Sequence, residues 1–592
     1  MSVTAEVSER ALREIYLANF ETVVKKAHPW TVMCSYNRIN GIYSCENKWL
    51  LTDVLRREWG FDGIVMTDWG AMNRRCEALL AGLNLEMPSS HGENDVLIVQ
   101  AVRNGTLDEK VLDKAVRELL QWIDKCLRGA ENAPASYDKK ADHALARKVE
   151  TECAVLLKNE RILPLKRDGK LAFIGGFAAS PRYQGGGSSH INSFQVASVL
   201  HAVSGMENIS YAEGFGAGDT EIDDAKFREA VRLAKCSDTA VVFAGLPESF
   251  ESEGYDRTGL DLPLCQNRLI EEIAKVQPNL VVVLHNGSAV TMPWLGRVKG
   301  VLELYLGGEA VGEACADLLF GNANPAGKLA ETFPLRLEDT PCYLDFPGDG
   351  QKVNYSEDVY VGYRYYDAKN VPVLFPFGFG LSYTSFELSG LRLSAETISD
   401  TQTLTAAVTV RNTGSSAGKE TVQLYVAPPR DAKFRRPLKE LKGFKKVELL
   451  PGEAKEVSFV LDKRSFAYYE ERLHDWYVES GDYTVLAGTS SADLPLRASV
   501  SVTGTARLPF VIGDTTICEE IWDRFADSSA IDRLAKKTDL SGSDNEETLG
   551  GESAGMMRAV MGGMPLHSLV SFGDISREEI DRAAAELKKS GQ

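Results

Sequence analysis

The segment VMTDWG, residues 65–70, places a carboxylate directly after a short apolar run. Such a run is typical of a buried strand, so Asp68 would stand at the carboxyl end of that strand. In β/α barrels these ends face the active site, and a carboxylate held there points at a substrate. Asp68 could equally cap the helix that follows. Both interpretations stay open on this motif alone.

A second acidic segment, ESEGYDRTGLDLP at 251–263, follows the apolar pattern VVFAG. It offers Glu251, Glu253 and Asp256 beside Arg257. Carboxyl groups act as general acids, bases and nucleophiles when a fold brings them against a substrate. Charged loops are more often solvated surface, so this segment does not define a site by itself.

Strands and helices alternate through the first part of the chain, which is typical of parallel strands with helical crossovers. The expected helices lie over 8–26, near 47–59, from about 73, and over 93–103 and 108–127; the expected strands lie over 31–36, over 63–68 and near 83–87. After a polar break at 129–136, four further strands predict a doubly wound α/β domain. These strands are expected at 171–175, 240–244, 280–285 and 301–305.

From about residue 341 the pattern changes to frequent Gly/Pro turns and period-two strands. The runs 404–411, 421–426 and 455–461 predict a β-sandwich. Beyond residue 507, the acidic, Gly/Ser-rich stretch 538–555 is expected to be flexible. A helix is expected over 575–589, with Ser576 and Glu579 placed as a capping box.

Composition and charge restrict the class of protein. The 592 residues are several times the length of one ordinary domain, and 44% are hydrophobic and 25% charged, as in globular proteins. The formal net charge of -18 disfavours nucleic acid and anionic membranes as partners, because the summed field repels phosphate. A neutral substrate fits better.

Cysteine usage and the N-terminal pattern bear on location. Ten cysteines occur singly, with no CxxC pair and no metal-like cluster, which favours reduced thiols. No apolar run of about 18 residues occurs, and residues 1–27 lack the pattern of a signal peptide. We therefore expect a cytoplasmic protein that does not enter a membrane.

Six blocks of sequence, in order, resemble one family. They are SYNRING at 35–41, NKWLLTDVLRREWGFDGIVMTDWGA at 47–71, LLKNERILPL at 156–165, ESEGYDR at 251–257, NPAGKLAETFP at 324–334 and FPFGFGLSYTSF at 375–386. Together they resemble glycoside hydrolase family 3 over roughly residues 1–500, and the tail is less specifically similar to C-terminal extensions of some bacterial members.

The resemblance implies an α/β multidomain fold. Its expected parts are the C-terminal part of a (β/α)8 barrel at 1–130, an α/β sandwich domain at 137–335, a fibronectin type III-like β-sandwich at 341–504, and a partly flexible, helical tail at 505–592.

The resemblance also implies roles for individual residues. Asp68 would be the nucleophile, Glu253 the general acid/base, and Tyr36 a hydrogen-bond donor that orients the nucleophile. Trp69 would shape the sugar site, and Ser188 resembles a residue of a second-domain loop that touches the sugar. No metal or cofactor is implied.

Retaining glycoside hydrolysis explains why two carboxyl groups are needed. One attacks the anomeric carbon, and the other, about 5–5.5 Å away, protonates the leaving oxygen and later activates water. We expect Asp68 and Glu253 to meet in a cleft between domains, where exclusion of water raises the pKa of the acid. Glu251 lies only two residues from Glu253 and stays an alternative acid/base.

The sequence departs from the family at the barrel. A full barrel has eight strands and about 250 residues, whereas only about three strands precede the α/β domain. We expect a fragment from an internal start, a truncated gene model or one half of a split enzyme, which would need its N-terminal half in trans for activity. Exposed strand edges would also favour association, so a homo-oligomer stays open.

The expected substrate is a β-glucoside or oligosaccharide cut at its non-reducing end, with a β-xyloside as a close alternative. A β-N-acetylglucosaminidase is disfavoured by Glu253 and the β-sandwich. The alternative from another class is a non-catalytic carbohydrate-binding or interaction protein. In that case Tyr363, Tyr365, Tyr366 and Trp476 could stack on sugars, although strand aromatics usually serve packing.

Overall fold

The computed structural model describes residues 2–131, 133, 136–510, 512–513, 516–525, 528–537, 559–571 and 574–590. The chain divides into two compact units, one of Met1–Glu471 with Asp475–Thr505 and one of Arg472–His474 with Ala506–Gln592. Among the described residues, no helix combines the length and apolar composition needed to cross a bilayer. The stretch 538–555, predicted to be flexible, lies outside the described residues.

The first 130 residues form a layer of short strands and helices, called the strand–helix layer below. Its strands are β1 (Thr4–Glu6), β2 (Thr31–Cys34), β3 (Arg38–Ile39), β4 (Ile42–Tyr43) and β5 (Ile64–Thr67). Its helices are α1 (Glu9–Ala11), α2 (Ala18–Ala27), α3 (Arg75–Ala81), α4 (Glu93–Arg103) and α5 (Glu109–Ala130), with π-helical segments at Leu12–Tyr16 and Trp49–Glu58. The strands β2 and β5 pair in parallel with Cys34 opposite Thr67, so their carboxyl ends coincide.

The prediction of a strand near residues 83–87 is wrong. Leu85 makes a single parallel bridge to Met66. The backbone N–H of Val65 donates to the side-chain oxygen of Asn84, at 3.0 Å, instead of to a ladder carbonyl. The Asn84 side chain therefore replaces the backbone pairing that would have extended the strand.

The next region is a six-stranded sheet flanked by helices. Its strands are β6 (Val155–Asn159), β7 (Leu171–Ile174), β8 (Ile209–Ala212), β9 (Thr239–Gly245), β10 (Leu280–His285) and β11 (Gly300–Glu303). Its helices are α6 (Lys139–Cys153), α7 (Val199–Ala202), α8 (Asp224–Lys235), α9 (Leu264–Val276) and α10 (Val311–Leu319). Apolar β-branched residues fill the central strands because both faces of the sheet are covered.

The strand order is β6-β11-β10-β9-β7-β8, with β6 antiparallel to the rest. Within the sheet, β8 lies on one side of β7, and β9, the next strand along the chain, lies on the other. The loops that follow β7 and β9 therefore diverge at their carboxyl ends. Such a reversal of strand order opens a crevice, and ligands of α/β sheets bind in crevices of this kind.

A connecting region leads into a β-sandwich. The connection holds β12 (Phe333–Pro334), β13 (Lys352–Asn354), α11 (Tyr363–Lys369) and β14 (Val373–Phe375). The sandwich consists of β15 (Phe386–Leu393), β16 (Thr397–Ser399), β17 (Leu404–Asn412), β18 (Gly418–Ala427), β19 (Glu440–Leu449), β20 (Ala454–Leu461), α12 (Lys463–Phe466), β21 (Tyr468–Glu470), β22 (Asp475–Tyr477), β23 (Gly481–Gly488) and β24 (Leu496–Thr503). Its two main sheets have the orders β15-β17-β20 and β16-β24-β23-β18-β19.

The sandwich contacts both preceding regions through charged side chains. Arg464 Nη1 donates to Glu21 Oε2 on α2 at 2.9 Å. On the other side, Lys446 Nζ donates to the backbone oxygen of Glu152 on α6 at 2.7 Å. The sandwich thus bridges the strand–helix layer and the α/β domain.

The second unit is helical. Its described helices are Cys518–Arg524, Ser529–Lys537 and Arg577–Ser590, with a 3-10 helix at Leu566–Ser571. The predicted capping box is present, since Ser576 N–H donates to Glu579 Oε2 at 3.0 Å and Glu579 N–H donates to Ser576 Oγ at 3.3 Å.

Candidate active site

Asp68 follows β5 directly and is held at the carboxyl edge of the β2–β5 pair. Thr67, one residue earlier, is buried, and its N–H donates to Leu85 O at 3.0 Å. Asp68 Oδ1 accepts from the Trp69 N–H at 2.7 Å and from the Tyr36 hydroxyl at 2.9 Å. No donor among the described residues bonds Asp68 Oδ2, so this oxygen is available to a substrate.

Tyr36 reaches Asp68 because β2 and β5 end side by side. Cys34 on β2 pairs with Thr67 on β5. Tyr36 follows Cys34 by two residues, and Asp68 follows Thr67 by one. The hydrogen bond to the Asp68 carboxylate raises the pKa of the Tyr36 hydroxyl. The hydroxyl therefore stays a donor to Asp68.

Glu253 comes from a different domain, on the loop after β9. Its Oε2 accepts from the Ser188 N–H at 2.6 Å, and Ser188 lies on the loop after β7. The backbone of Gly187 has φ +89°, and a Cβ there would lie 2.5 Å from Glu253 Cβ. Only glycine fits this close approach of the two loops.

The pKa of Glu253 depends on its hydrogen bonds to Ser188 and on the charge of Asp68. Hydrogen bonds from Ser188 lower the pKa of Glu253, while the charge of Asp68 raises it by less. The expected rise in the pKa of Glu253 is therefore wrong for the protein without substrate. The physical reason is that the Glu253 carboxyl is exposed and accepts a hydrogen bond, whereas the expectation assumed exclusion of water.

Glu251 is placed quite differently from Glu253. Its Oε2 accepts from Arg182 Nη1 at 2.5 Å and from the Gly287 N–H at 2.7 Å. Its Oε1 accepts from Ser288 Oγ at 2.5 Å. Both oxygens of Glu251 are thus engaged by donors of the protein, so the geometry favours Glu253 over Glu251 as the carboxyl group that meets a substrate.

The remaining predicted residues lie around these carboxyl groups. Trp69 is 59% exposed, next to Asp68. Ser188 is exposed and contacts Glu253 through its backbone. Contact of either residue with a sugar stays a prediction. Within the described residues, no group of three or more His, Cys, Asp or Glu side chains is arranged to hold a metal ion.

Sequence reasoning missed Arg182 and Ser288, which hold Glu251. Arg182 lies in the loop that follows the apolar strand β7, and Ser288 lies three residues after the carboxyl end of β10. Their positions after two apolar strands were the available signal, since such ends converge on one edge of a parallel sheet.

Profiles of known families match three parts of the chain. The Glycosyl hydrolase family 3 N terminal domain matches residues 2–122, the Glycosyl hydrolase family 3 C-terminal domain matches 154–383, and a Fibronectin type III-like domain matches 420–491. Thermostable beta-glucosidase B of Acetivibrio thermocellus is 48% identical over 589 residues, which are 98% of this chain and 77% of that protein. The chain belongs to glycoside hydrolase family 3.

Other known proteins are similar over comparable lengths. An Exo-alpha-(1->6)-L-arabinopyranosidase of Bifidobacterium longum is 44% identical, over 96% of this chain and 75% of its own. The crystal structure of a GH3 beta-glucosidase from Bifidobacterium adolescentis is 46% identical, with a TM-score of 0.83, over 88% of this chain and 77% of that one.

These matches confirm the predicted family, fold class and enzyme class: the chain is a β-glucosidase-like glycoside hydrolase. The aromatic residues invoked for a binding protein serve packing. Tyr363 and Tyr366 are buried, Tyr363 stacks on Phe377, and Arg464 lies over the Trp476 ring.

Proposed function

We propose that this family 3 chain is a retaining, exo-acting β-glycosidase that removes terminal non-reducing β-D-glucosyl residues, with Asp68 as nucleophile and Glu253 as general acid/base. The supporting observation is that loops of two domains bring these carboxyl groups within electrostatic reach of each other. Relatives named as beta-glucosidases support the choice of sugar.

The reaction would proceed by two displacements. Asp68 Oδ2 attacks the anomeric carbon while Glu253 donates its proton to the departing glycosidic oxygen, so that a glycosyl–Asp68 ester forms. Glu253, now ionised, takes a proton from a water molecule that attacks the same carbon and releases Asp68. Tyr36 would hold the second Asp68 oxygen throughout.

Glu253 must carry a proton before the first step. Hydrogen bonds from Ser188 lower its pKa in the free protein. A sugar that covers this exposed carboxyl would remove water from it and raise its pKa toward the value that proton donation needs.

The nucleophile is tested by Asp68→Asn, assayed on an aryl β-glucoside beside Asp256→Asn, which changes an exposed acid of the Glu253 loop. We expect turnover to disappear in the first variant and to persist in the second, with both folded. Substantial turnover by Asp68→Asn would refute the assignment. Parallel assays on an aryl β-xyloside and an aryl α-L-arabinopyranoside test the sugar, because a relative is named for the latter activity.

The acid/base is tested by Glu253→Ala with two leaving groups. A dinitrophenolate departs without protonation, whereas an alkoxide does not. Hydrolysis of the alkyl glucoside should therefore fall by about 10²–10⁴-fold, and attack on the dinitrophenyl glucoside should be much less affected. Equal losses on both substrates would contradict the role.

We further propose that a β/α segment supplied in trans completes the site. Among the described residues β2 pairs only with β5, and Met33 on β2 is 53% exposed. The helix α5 presents Val116, Leu120, Ile123 and Leu127 to solvent at spacings of four, three and four residues. Such a stripe is typical of a helix face that packs on another element.

The part of the Acetivibrio relative outside the match provides the probe. Co-expressed as a separate chain, it should bind this one and increase turnover, and Leu120→Asp should weaken both effects. Full turnover by this chain alone, as a monomer in sedimentation, would defeat the proposal. Turnover by a self-associated form would favour the homo-oligomer instead.

A further inference from the structure

One largely enclosed carboxylate contacts three loops at the carboxyl edge of the six-stranded sheet. Glu251, on the loop after β9, is 11% exposed in its side chain. It accepts from Arg182 on the loop after β7, and from Gly287 N–H and Ser288 Oγ after β10. The Arg182 side chain is itself 6% exposed.

Arginine side chains reinforce this cluster through the backbone. Arg182 Nη2 donates to the backbone oxygen of Glu251 at 2.9 Å, and its Nη1 donates to Leu246 O at 3.0 Å. Arg257 Nη1 donates to Ser288 Oγ at 2.6 Å and to Ala289 O at 3.1 Å. The side chain and the backbone of Glu251 are thus both fixed to the sheet edge.

The cluster holds both partners of the Ser188–Glu253 hydrogen bond. Glu253 is two residues after Glu251, and Ser188 is six residues after Arg182. A carboxylate and a guanidinium that are both removed from water stay paired, because each would otherwise be a buried unpaired charge. Any change that separates Glu251 from Arg182 therefore frees both loops together.

We propose that Glu251 is a positioning residue of the glycosidase site, which through Arg182 and Ser288 fixes the orientation of Glu253 toward Asp68 without touching the sugar. This inference rests on the proposed function, in which Glu253 is the acid/base. It also gives the two glutamates of this loop different roles: Glu253 faces solvent and reacts, and Glu251, which is largely enclosed, holds the loop in place.

The test is Glu251→Gln, which keeps the shape of the side chain but turns an amide N–H₂ toward a donor. The ratio of kcat/KM for a dinitrophenyl glucoside to that for an alkyl glucoside should rise by about 10-fold or more, because only the second needs a well-placed proton donor. In a Glu253→Ala background, Glu251→Gln should leave that ratio unchanged, because the two residues act through one step.

Asp317→Asn provides the matched control. It removes the charge and one of the two acceptors of the pair with Arg147 in the same domain, whose hydrogen bonds between α6 and α10 are 2.6 and 2.7 Å long. A purely structural weakening of the domain should lower both kcat/KM values alike in either variant. An unchanged ratio in Glu251→Gln would therefore overturn the proposal.

A second measurement does not depend on turnover. Hydrogen exchange of the folded full chain should show faster exchange in Glu251→Gln over residues 181–190 and 248–258 together, with the strands β9 and β10 unchanged. Unchanged exchange in both loops would overturn the proposal even in an inactive chain. If the loops respond but the wild-type chain shows no glycosidase activity on any substrate, the proposed function fails and with it the positioning role.

Discussion

Glu150 is a buried acid that should make the stability of the protein depend on pH. It lies on α6 and is 4% exposed, and none of the residues that the structure describes gives its Oε1 a hydrogen bond. Its carboxyl group lies directly against Gly307, where a Cβ would be 2.4 Å from Glu150 Cδ. Burial without a compensating charge raises the pKa of Glu150 to about 8.

The magnitude follows from the two pKa values of this side chain. An unfolded chain would release the proton near 4.5, whereas the folded chain holds it to about 8. The folded state therefore binds the proton more tightly, and stability is greatest below about pH 4.5 and falls as pH rises through the folded pKa. At about 1.4 kcal/mol for each pH unit, the loss reaches about 5 kcal/mol by pH 9.

Glu150→Gln should remove this dependence, because an amide of the same shape does not ionise. In urea unfolding, the variant should match the wild type within about 1 kcal/mol at pH 5 and exceed it by about 3–5 kcal/mol at pH 9. Glu229→Gln, on the exposed face of α8, is the control and should follow the wild type at both pH values. Equal pH dependence in the wild type and Glu150→Gln would refute the reasoning.

Three further substitutions test the site and its scaffold. Tyr36→Phe removes the hydroxyl that donates to the proposed nucleophile Asp68 at 2.9 Å. It should lower kcat on an aryl β-glucoside by about 10-fold or more without changing the melting temperature. An unchanged kcat would contradict the orienting role of Tyr36. Burial opposes the charge of His143, but hydrogen bonds to two glutamates outweigh burial and raise the pKa of His143. His143→Gln should therefore destabilise the protein at about pH 6, and the difference from the wild type should disappear as pH rises through the folded pKa. Thermal melts that differ equally at pH 6 and pH 9 would disprove this. Gly187→Ala would place a methyl group against Glu253, so the alkyl glucoside should lose more kcat/KM than the dinitrophenyl glucoside; a uniform loss would argue against a local effect.

The central strands of the α/β domain could be predicted from sequence, because runs such as 280–285 are apolar on both faces. The two edge strands, β6 and β8, were not predicted. Of these, β6 pairs antiparallel to its neighbour, so it does not follow the alternation of parallel strands and helices on which the prediction was based. The carboxylates Asp68 and Glu253 could be proposed from their motifs. What the sequence could not show is burial: Glu251 and Glu253 are identical in type, and only the fold reveals that one is enclosed by Arg182 while the other faces solvent.

The β-sandwich carries neither Asp68 nor Glu253, yet it bonds to the layers that carry them, through Arg464 to Glu21 and through Lys446 to Glu152. We expect these bonds to help fix the distance between the two proposed catalytic carboxyl groups. A displacement of about 1 Å between catalytic groups is enough to slow a reaction by about 100-fold. Heat or denaturant that weakens the contacts of the β-sandwich should consequently abolish activity while the cores of the strand–helix layer and the α/β domain are still intact, so inactivation would precede unfolding.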